Sequence, residues 1–328
     1  MIRFFKSSFV IQYCAIFITG LILWGRAFFE PPFLPEPEGF VPFYSFLYSV
    51  LSGFPLIQVI SGCFLVMGST LILNHVLYNH SIVQKNSSLA GFIFIILMSY
   101  YPEFHTIQPV NITVFFLLLI LNQLLQSYNR EEPLDLTYSA GFFVAIGSYV
   151  YFPFIFFYGF ILISFIIFRS GKWREWVSSL FGLLTPFLFL AVYYFWSDQL
   201  MTKIHKYLGM FTIHLDLKFS KNPVYIILTF LVILFFLYSL VYSISNRTER
   251  TIEKKRKNLL FNWIILFVLV SFPFTSNMTF YHIELAFITF SGLIAFYLLQ
   301  IRKSFWQELI LLLFLLFLIS NNLFFRLS

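Results

Sequence analysis

Charge is what this chain has least of: only 11% of its 328 residues are Asp, Glu, Lys or Arg. Soluble globular domains are about a quarter charged, so the deficit excludes an ordinary water-exposed surface. Cysteine is nearly absent. Cys14 and Cys63 share no metal-ligand spacing and fall inside apolar stretches, where both read as small buried hydrophobes. There is no phosphate-binding glycine loop, no Cys-x-x-Cys and no His-Glu-x-x-His. Acids in the middle of apolar stretches, expected of many ion-coupled carriers, are missing too. The polar residues found there are few: Gln58, Asn74, Asn122, Gln123 and Asn262.

Apolar side chains take up the space. The chain is 59% hydrophobic and 22% aromatic, with 48 Phe, and its mean hydropathy is +0.85. Runs of about 20 apolar residues read as membrane helices, because each must cross roughly 30 Å of hydrocarbon. Such stretches lie at 8–28, 55–77, 89–101, 111–127, 138–150, 153–169, 175–196, 223–245, 259–274, 283–301 and 306–325. The expected fold is therefore all-α, a polytopic integral membrane protein of about eleven transmembrane helices. The pieces 89–101 and 138–150 are short for a crossing, and each meets a proline, Pro102 or Pro153, expected to stop the helix. Short helices at membrane depth are tolerated where protein covers them or where they line a cavity. The first stretch lacks a small-residue cleavage site and runs into Trp24 and Arg26, so it reads as a retained anchor. No soluble domain is inserted and no fixed-period repeat is present.

Basic loops report orientation. With the N-terminus inside, the inner segments hold Arg3, Lys6, Lys85, Arg130, Arg169, Lys172, Arg174, Arg247, Arg250, Lys254, Lys255, Arg256, Lys257, Arg302 and Lys303, 15 of the 21 basic residues. The net charge of +7 then belongs to anionic lipid headgroups and not to nucleic acid. The outer face receives Glu30, Glu36, Glu38, Glu103, Asp198, Asp216 and Glu284, half of the 14 acids. It also receives His105, His205, His214 and His282, four of the six histidines.

Two outer segments are large. Residues 29–54 open with Glu30-Pro31-Pro32-Phe33-Leu34-Pro35-Glu36-Pro37-Glu38, stiff because proline fixes φ, and continue into Phe43–Phe54. That stretch has an apolar side and a serine side, as in a helix lying flat at the interface. Residues 197–222 hold Lys203, His205, Lys206, Lys218 and Lys221, which break the inside bias. A phosphate ligand explains them; so does solvation.

Glu103-Phe104-His105 and His282-Ile283-Glu284 pair acids with histidines. Such pairs suit general acid–base chemistry. They also suit a divalent cation, with Glu103, His105, His282 and Glu284 as possible ligands. Solvated headgroup residues, or an acid stabilised at a helix N-terminus, account for them as well. Arg26, one turn before Glu30, reads as a snorkelling arginine, a phosphate ligand or a residue that orients the acid.

One span, an acidic outer loop, a flat helix and then short helices turning at outer prolines: this order resembles the GT-C superfamily of polyprenyl-phosphate-sugar-dependent membrane glycosyltransferases. The turns are Tyr101-Pro102-Glu103-Phe104-His105 to Asn122-Gln123, and Ser139-Ala140-Gly141 through Pro153. The chain also resembles an uncharacterised family of Bacteroidota membrane proteins through Arg169–Glu175-Trp176 and Gly182-Leu183-Leu184-Thr185-Pro186. The first likeness implies a GT-C-like module over 1–222, with outer loops 29–54 and 197–222, followed by C-terminal transmembrane helices over 223–328. The Asp-Asp or Glu-x-Asp signature of that first loop is absent, and Glu36-Pro37-Glu38 stands in its place.

The implied activity moves a sugar from a polyprenyl-phosphate donor to an acceptor at the outer face of a bacterial inner membrane. Glu30, or Glu36 or Glu38, would act as base. Arg26, Lys203 or Lys206 would neutralise the phosphate. Glu103, His105, His205, His282 and Glu284 would position the sugar, with a divalent cation as the possible cofactor. Membrane lipids and membrane proteins are the expected partners. A non-catalytic subunit of an envelope assembly complex and a lipid flippase or transporter are the rival readings.

Overall fold

The computed structural model describes residues 4–6, 10–37, 39, 41–83, 87–128, 130–168, 172–213, 223–245, 251–275, 281–300 and 305–324. Among them every regular element is helical. The α-helices are α1 (Val10–Trp24), α2 (Pro42–Leu51), α3 (Pro55–Asn79), α4 (Leu89–Leu97), α5 (Pro109–Ser127), α6 (Leu134–Val150) and α7 (Tyr158–Phe168). They continue with α8 (Trp173–Trp196), α9 (Leu200–Leu208), α10 (Pro223–Ser245), α11 (Ile252–Ser271), α12 (Glu284–Gln300) and α13 (Phe305–Phe324).

Among the described residues, six helical stretches are long and apolar enough to cross a membrane: Val10–Phe28, Pro55–Asn79, Pro109–Ser127, Trp173–Trp196, Ile252–Phe274 and Tyr281–Gln300. Those lengths and compositions fit a membrane protein. Leu134–Val150, Phe152–Phe168 and Leu228–Ser243 are shorter apolar helices. α8 shows how the outer surface is built. It exposes Trp173, Phe181, Leu188, Phe189, Tyr193 and Trp196, and its terminal tryptophans stand about 34 Å apart at the helical rise. Aromatic residues at that spacing match the two interfaces of a bilayer. α1 carries a parallel exposed stripe of Val10, Ile11, Cys14, Ile18 and Leu21. Cys14 is therefore exposed rather than buried, whereas Cys63 is buried with its sulfur 3.9 Å from that of Met67.

The centre belongs to α4 and α12. All nine residues of α4 are buried, and every residue of α12 from Glu284 to Ala295 is buried. A helix that is apolar all round belongs in a protein interior. This explains how α4, only about 14 Å long at the helical rise, can sit there: protein covers it. The core draws on both the first 222 residues and the C-terminal helices, since Phe94, Phe157, Phe261 and Phe287 share one hydrophobic cluster.

Glycines bring backbones together at two crossings. α6 and α8 meet through Gly141 and Gly182: a Cβ on Gly141 would collide with the Ser179 carbonyl, and one on Gly182 with the Tyr138 carbonyl. In α3, Gly62 lets the 106–107 backbone lie against the helix, where a Cβ would come within 2.6 Å of the Thr106 carbonyl carbon.

The prolines at the turns act differently from expectation. α4 has ended at Leu97, and α6 at Val150, before either proline is reached. Pro102 and Pro153 instead open short 3-10 helices, Pro102–Phe104 and Phe152–Phe157. Proline fits that position because its missing N–H would have no partner in a first turn. Pro42, Pro55 and Pro109 start α2, α3 and α5 in the same way.

Candidate functional site

The two ends of the bundle differ in how they use charge. At one end, Arg174 reaches Glu132 at 3.3 Å and the Lys172 ammonium donates to the Glu131 carbonyl at 2.6 Å. Arg256 donates to the Phe168 carbonyl at 3.3 Å. Lys257, nearly buried, pairs with Glu253 at 2.6 Å and lies 5.3 Å from the Tyr128 ring centroid. All of these contacts except Lys257–Glu253 tie one segment to another. At this end His80 is held below its ordinary value, at about 4, chiefly by burial and then by Lys257.

The opposite end carries the acids and histidines singled out above. α1 runs into a 3-10 turn, Gly25–Phe28, which places Arg26 one turn ahead of Glu30. Arg26 donates to one oxygen of Glu30 through Nε (3.1 Å) and Nη2 (2.9 Å), and both side chains face solvent in part. Of the three roles open to Arg26, the geometry is that of a residue holding the acid. The proline strap then crosses the surface. Tyr44, buried in α2, donates to the Pro35 carbonyl at 2.7 Å and pins the strap to the helix. Glu36 is exposed on the strap, and Glu38 lies outside the described residues.

α2 occupies the stretch expected to lie flat. It buries Tyr44 and exposes Phe43, Phe46 and Val50. A second surface helix, α9, follows a reversal at Asp198, whose φ of 52° is a left-handed conformation that Asp tolerates. α9 is amphipathic: Met201, Ile204 and Leu208 are exposed apolar residues, and His205 and Lys206 are exposed polar ones. Lys203 sits 5.3 Å from the Tyr194 ring centroid. Inward, Tyr207 and Phe211 pack edge-on to Phe152 at 5.3 and 4.8 Å. The two surface segments meet. Met210 lies against Gly39, whose φ of +72° favours glycine and where a Cβ would stand 2.6 Å from the methionine methyl. The other charged and histidine residues of the second segment, His214, Asp216, Lys218 and Lys221, fall outside the described residues.

The turn between α4 and α5 is buried and held from several sides. Ile107 N donates to the Gln58 carbonyl (3.2 Å), and Asn111 donates to the Thr106 carbonyl (3.1 Å). Gln108 donates to the Glu103 carbonyl. Asn111 is thus an interior strut. Within this turn Glu103 and His105 separate. Glu103 is exposed and accepts from Tyr281 at 3.0 Å. His105 is buried, donates from Nε2 to the Ser99 carbonyl (3.1 Å) and lies 4.9 Å from the Trp24 ring. Trp24 in turn donates to Ser99 Oγ at 3.0 Å. Burial holds His105 well below its ordinary 6.5, at about 4, so it is a neutral strut at pH 7. This Trp24–Ser99–His105 staple carries Arg26 two residues along one chain and Glu103 two residues along the other.

His282 and Glu284 separate as well. His282 is fully buried, with Nδ1 2.9 Å from Tyr151 Oη and Nε2 3.0 Å from the Val268 carbonyl and 3.1 Å from Ser271 Oγ. A carbonyl can only accept, so Nε2 bears the proton and Nδ1 accepts from Tyr151, a tautomer assigned from the bonding pattern. Both nitrogens are spent joining the α6–α7 corner, the end of α11 and the start of α12. Glu284 is fully buried at the first position of α12, and neither oxygen finds a hydrogen-bond partner among the described residues. Among those residues no three His, Cys, Asp or Glu side chains are grouped to hold a metal ion. Glu103, His105, His282 and Glu284 point to different tasks.

The acid–histidine pairs visible in sequence therefore regroup. Glu103 is bonded to Tyr281, and Tyr281 and Tyr100 are both within electrostatic reach of Glu284. Sequence reading passed over Tyr281, although it directly precedes His282. Nothing in a linear chain marks a tyrosine that bonds a carboxylate 178 positions away.

A model for a family of unknown function, DUF6427, matches residues 12–328, and the chain belongs to that family. No curated protein and no solved structure matches it.

Proposed function

We propose that this DUF6427 member is a membrane glycosyltransferase that uses a polyprenyl-phosphate sugar, with the basic end in the cytoplasm and the acid-bearing end on the outer face of a bacterial inner membrane. The observation that carries the reading is the Arg26–Glu30 pair, set where the first long helix gives way to a strap and a surface helix. Arg26 engages one oxygen of Glu30, and the carboxylate is half exposed and within reach of an incoming hydroxyl. In the reaction Glu30 takes the proton of the acceptor hydroxyl, and the acceptor oxygen bonds to the anomeric carbon. The bond from that carbon to the phosphate oxygen breaks, and polyprenyl phosphate leaves with the electron pair.

With Arg26 engaged by Glu30, the leaving phosphate falls to α9. Its Lys203 and Lys206, with His205, stand on a helix whose exposed Met201, Ile204 and Leu208 suit an interfacial seat. Cationic groups fixed where negative charge develops stabilise the transition state. Glu36 on the strap is the alternative base, and Glu103 a sugar-positioning acid.

The test is transfer by the purified chain in lipid vesicles supplied with polyprenyl-phosphate sugar and acceptor. Glu30→Gln should lower the rate by about 10²–10⁴-fold, the range of a general base. Equal rates in both proteins would overturn the assignment. A second reading, lipid transport, is favoured by one observation: Glu284 is an ionisable residue buried without a hydrogen-bond partner among the described residues, as at many translocation sites. It predicts movement of labelled lipid across vesicles with no glycosylated product.

A further inference from the structure

Glu284 stands apart from every other acid in the described chain. Its relative exposure is 0%, and neither carboxyl oxygen has a partner among the described residues. An ionised carboxylate buried with no counter-charge and no donor is among the costliest groups a protein can hold. The helix end it occupies relieves only a small part of that cost. The ionisable groups that feel its charge are Tyr100, from the turn after α4, and Tyr281, in the turn ahead of α12; Tyr101 neighbours the first and Glu103 is bonded to the second. α10 contributes Thr229, whose hydroxyl lies 3.1 Å from Tyr100 Oη. His282, two residues away, is committed to Tyr151, Val268 and Ser271. No cation from any of these elements faces the carboxyl.

A path leads outward. Tyr281, three residues ahead of Glu284 in the chain, donates to Glu103 at 3.0 Å, and Glu103 is exposed at the acid-bearing end. We propose that Glu284 is a buried proton-binding site, loaded from that end of the molecule through Glu103 and Tyr281. The ligand is the proton itself: Glu103 collects it from water, the Tyr281 hydroxyl passes one on, and a Glu284 oxygen receives it, so the tyrosine ends as it began. Carboxylic acid at Glu284 removes the uncompensated charge. This site does not depend on the transfer reading and serves neither Glu30 nor the α9 lysines.

Difference infrared spectroscopy of the full chain in nanodiscs tests it. At neutral pH the wild type should show the C=O stretch of a protonated carboxylic acid that is lost in Glu284→Gln and moved in Glu284→Asp. The Tyr281→Phe protein should keep the band but exchange its proton for deuterium more slowly than wild type. Absence of the band from wild type overturns the proposal, as does its survival in Glu284→Gln. Unchanged exchange in Tyr281→Phe, a mild substitution readable even if the Glu284 variants do not fold, overturns the route.

Discussion

The two ends of this bundle spend their charge in opposite ways. At the Lys257 end, cations are bonded across segments, Arg174 to Glu132, Lys172 to the Glu131 carbonyl and Arg256 to the Phe168 carbonyl. At the Glu30 end, Arg26 pairs within its own turn, Glu103 stands in solvent on a tyrosine, and Glu284 is buried with nothing to balance it. Charge at the first end is structure. At the second, the buried histidines His105 and His282 supply the structure, and it is the acids that the proposed chemistry uses. The lesson is that acid–histidine adjacency in sequence does not survive as contact: His105 and His282 become buried struts, while Glu103 bonds Tyr281 and Glu284 is buried apart.

The comparison breaks most readily at the histidine struts. Replacing His282 with Leu strips bonds from Tyr151, Ser271 and Val268 at a fully buried site. A loss of about 3 kcal/mol or more is expected, from buried polar groups left unpaired. Thermal unfolding in detergent measures it, and a change under 1 kcal/mol, roughly the worth of a surface contact, would remove His282 from the framework.

His105 gives a pH test of nearly the same size. Its folded value of about 4 lies below the ordinary 6.5, so an unfolded chain takes up a proton that the folded one refuses. The stabilisation is complete above about 6.5 and lost as pH falls through about 4, a total of about 3 kcal/mol by linkage. Unfolding measured from pH 7 to 4 should show a shallower slope for His105→Phe than for wild type. His80, less buried at the basic end, adds a smaller share in the same window.

At the basic end, Lys257→Met should cost roughly 1–2 kcal/mol, since it removes a nearly buried ion pair and a contact with the Tyr128 ring while keeping the apolar stem. Transfer should be unaffected once the protein is folded. Arg26→Ala should show the reverse. Its pair is partly exposed, so stability should change by about 0–1 kcal/mol, while transfer falls because Glu30 loses its orientation.

Much of the fold could be read from the chain. Apolar stretches at 55–77, 111–127 and 175–196 became α3, α5 and α8, because long hydrophobic runs leave few alternatives. The surface helix after the proline strap was also legible, from serines on one side and aromatics on the other. α9 was not called as a helix, because nine residues with mixed polarity read equally well as a charged loop. The prolines were given the wrong task, since a proline that stops a helix and one that opens the next turn look alike in sequence. Inside the site, Arg26 and Glu30 were visible as a pair one turn apart. The Glu103–Tyr281–Glu284 group was invisible because it depends on α12 packing against α4, a contact between segments nearly 200 positions apart in the chain.

The central claim is that chemistry belongs to the acid-bearing end and stability to the basic one. The most direct measurement is the transfer rate from polyprenyl-phosphate sugar by Glu30→Gln and Lys257→Met, side by side in vesicles, with unfolding recorded for both. The account predicts that Glu30→Gln loses transfer at wild-type stability, while Lys257→Met keeps transfer at lowered stability. Full transfer by Glu30→Gln, or its loss in a folded Lys257→Met, would contradict it.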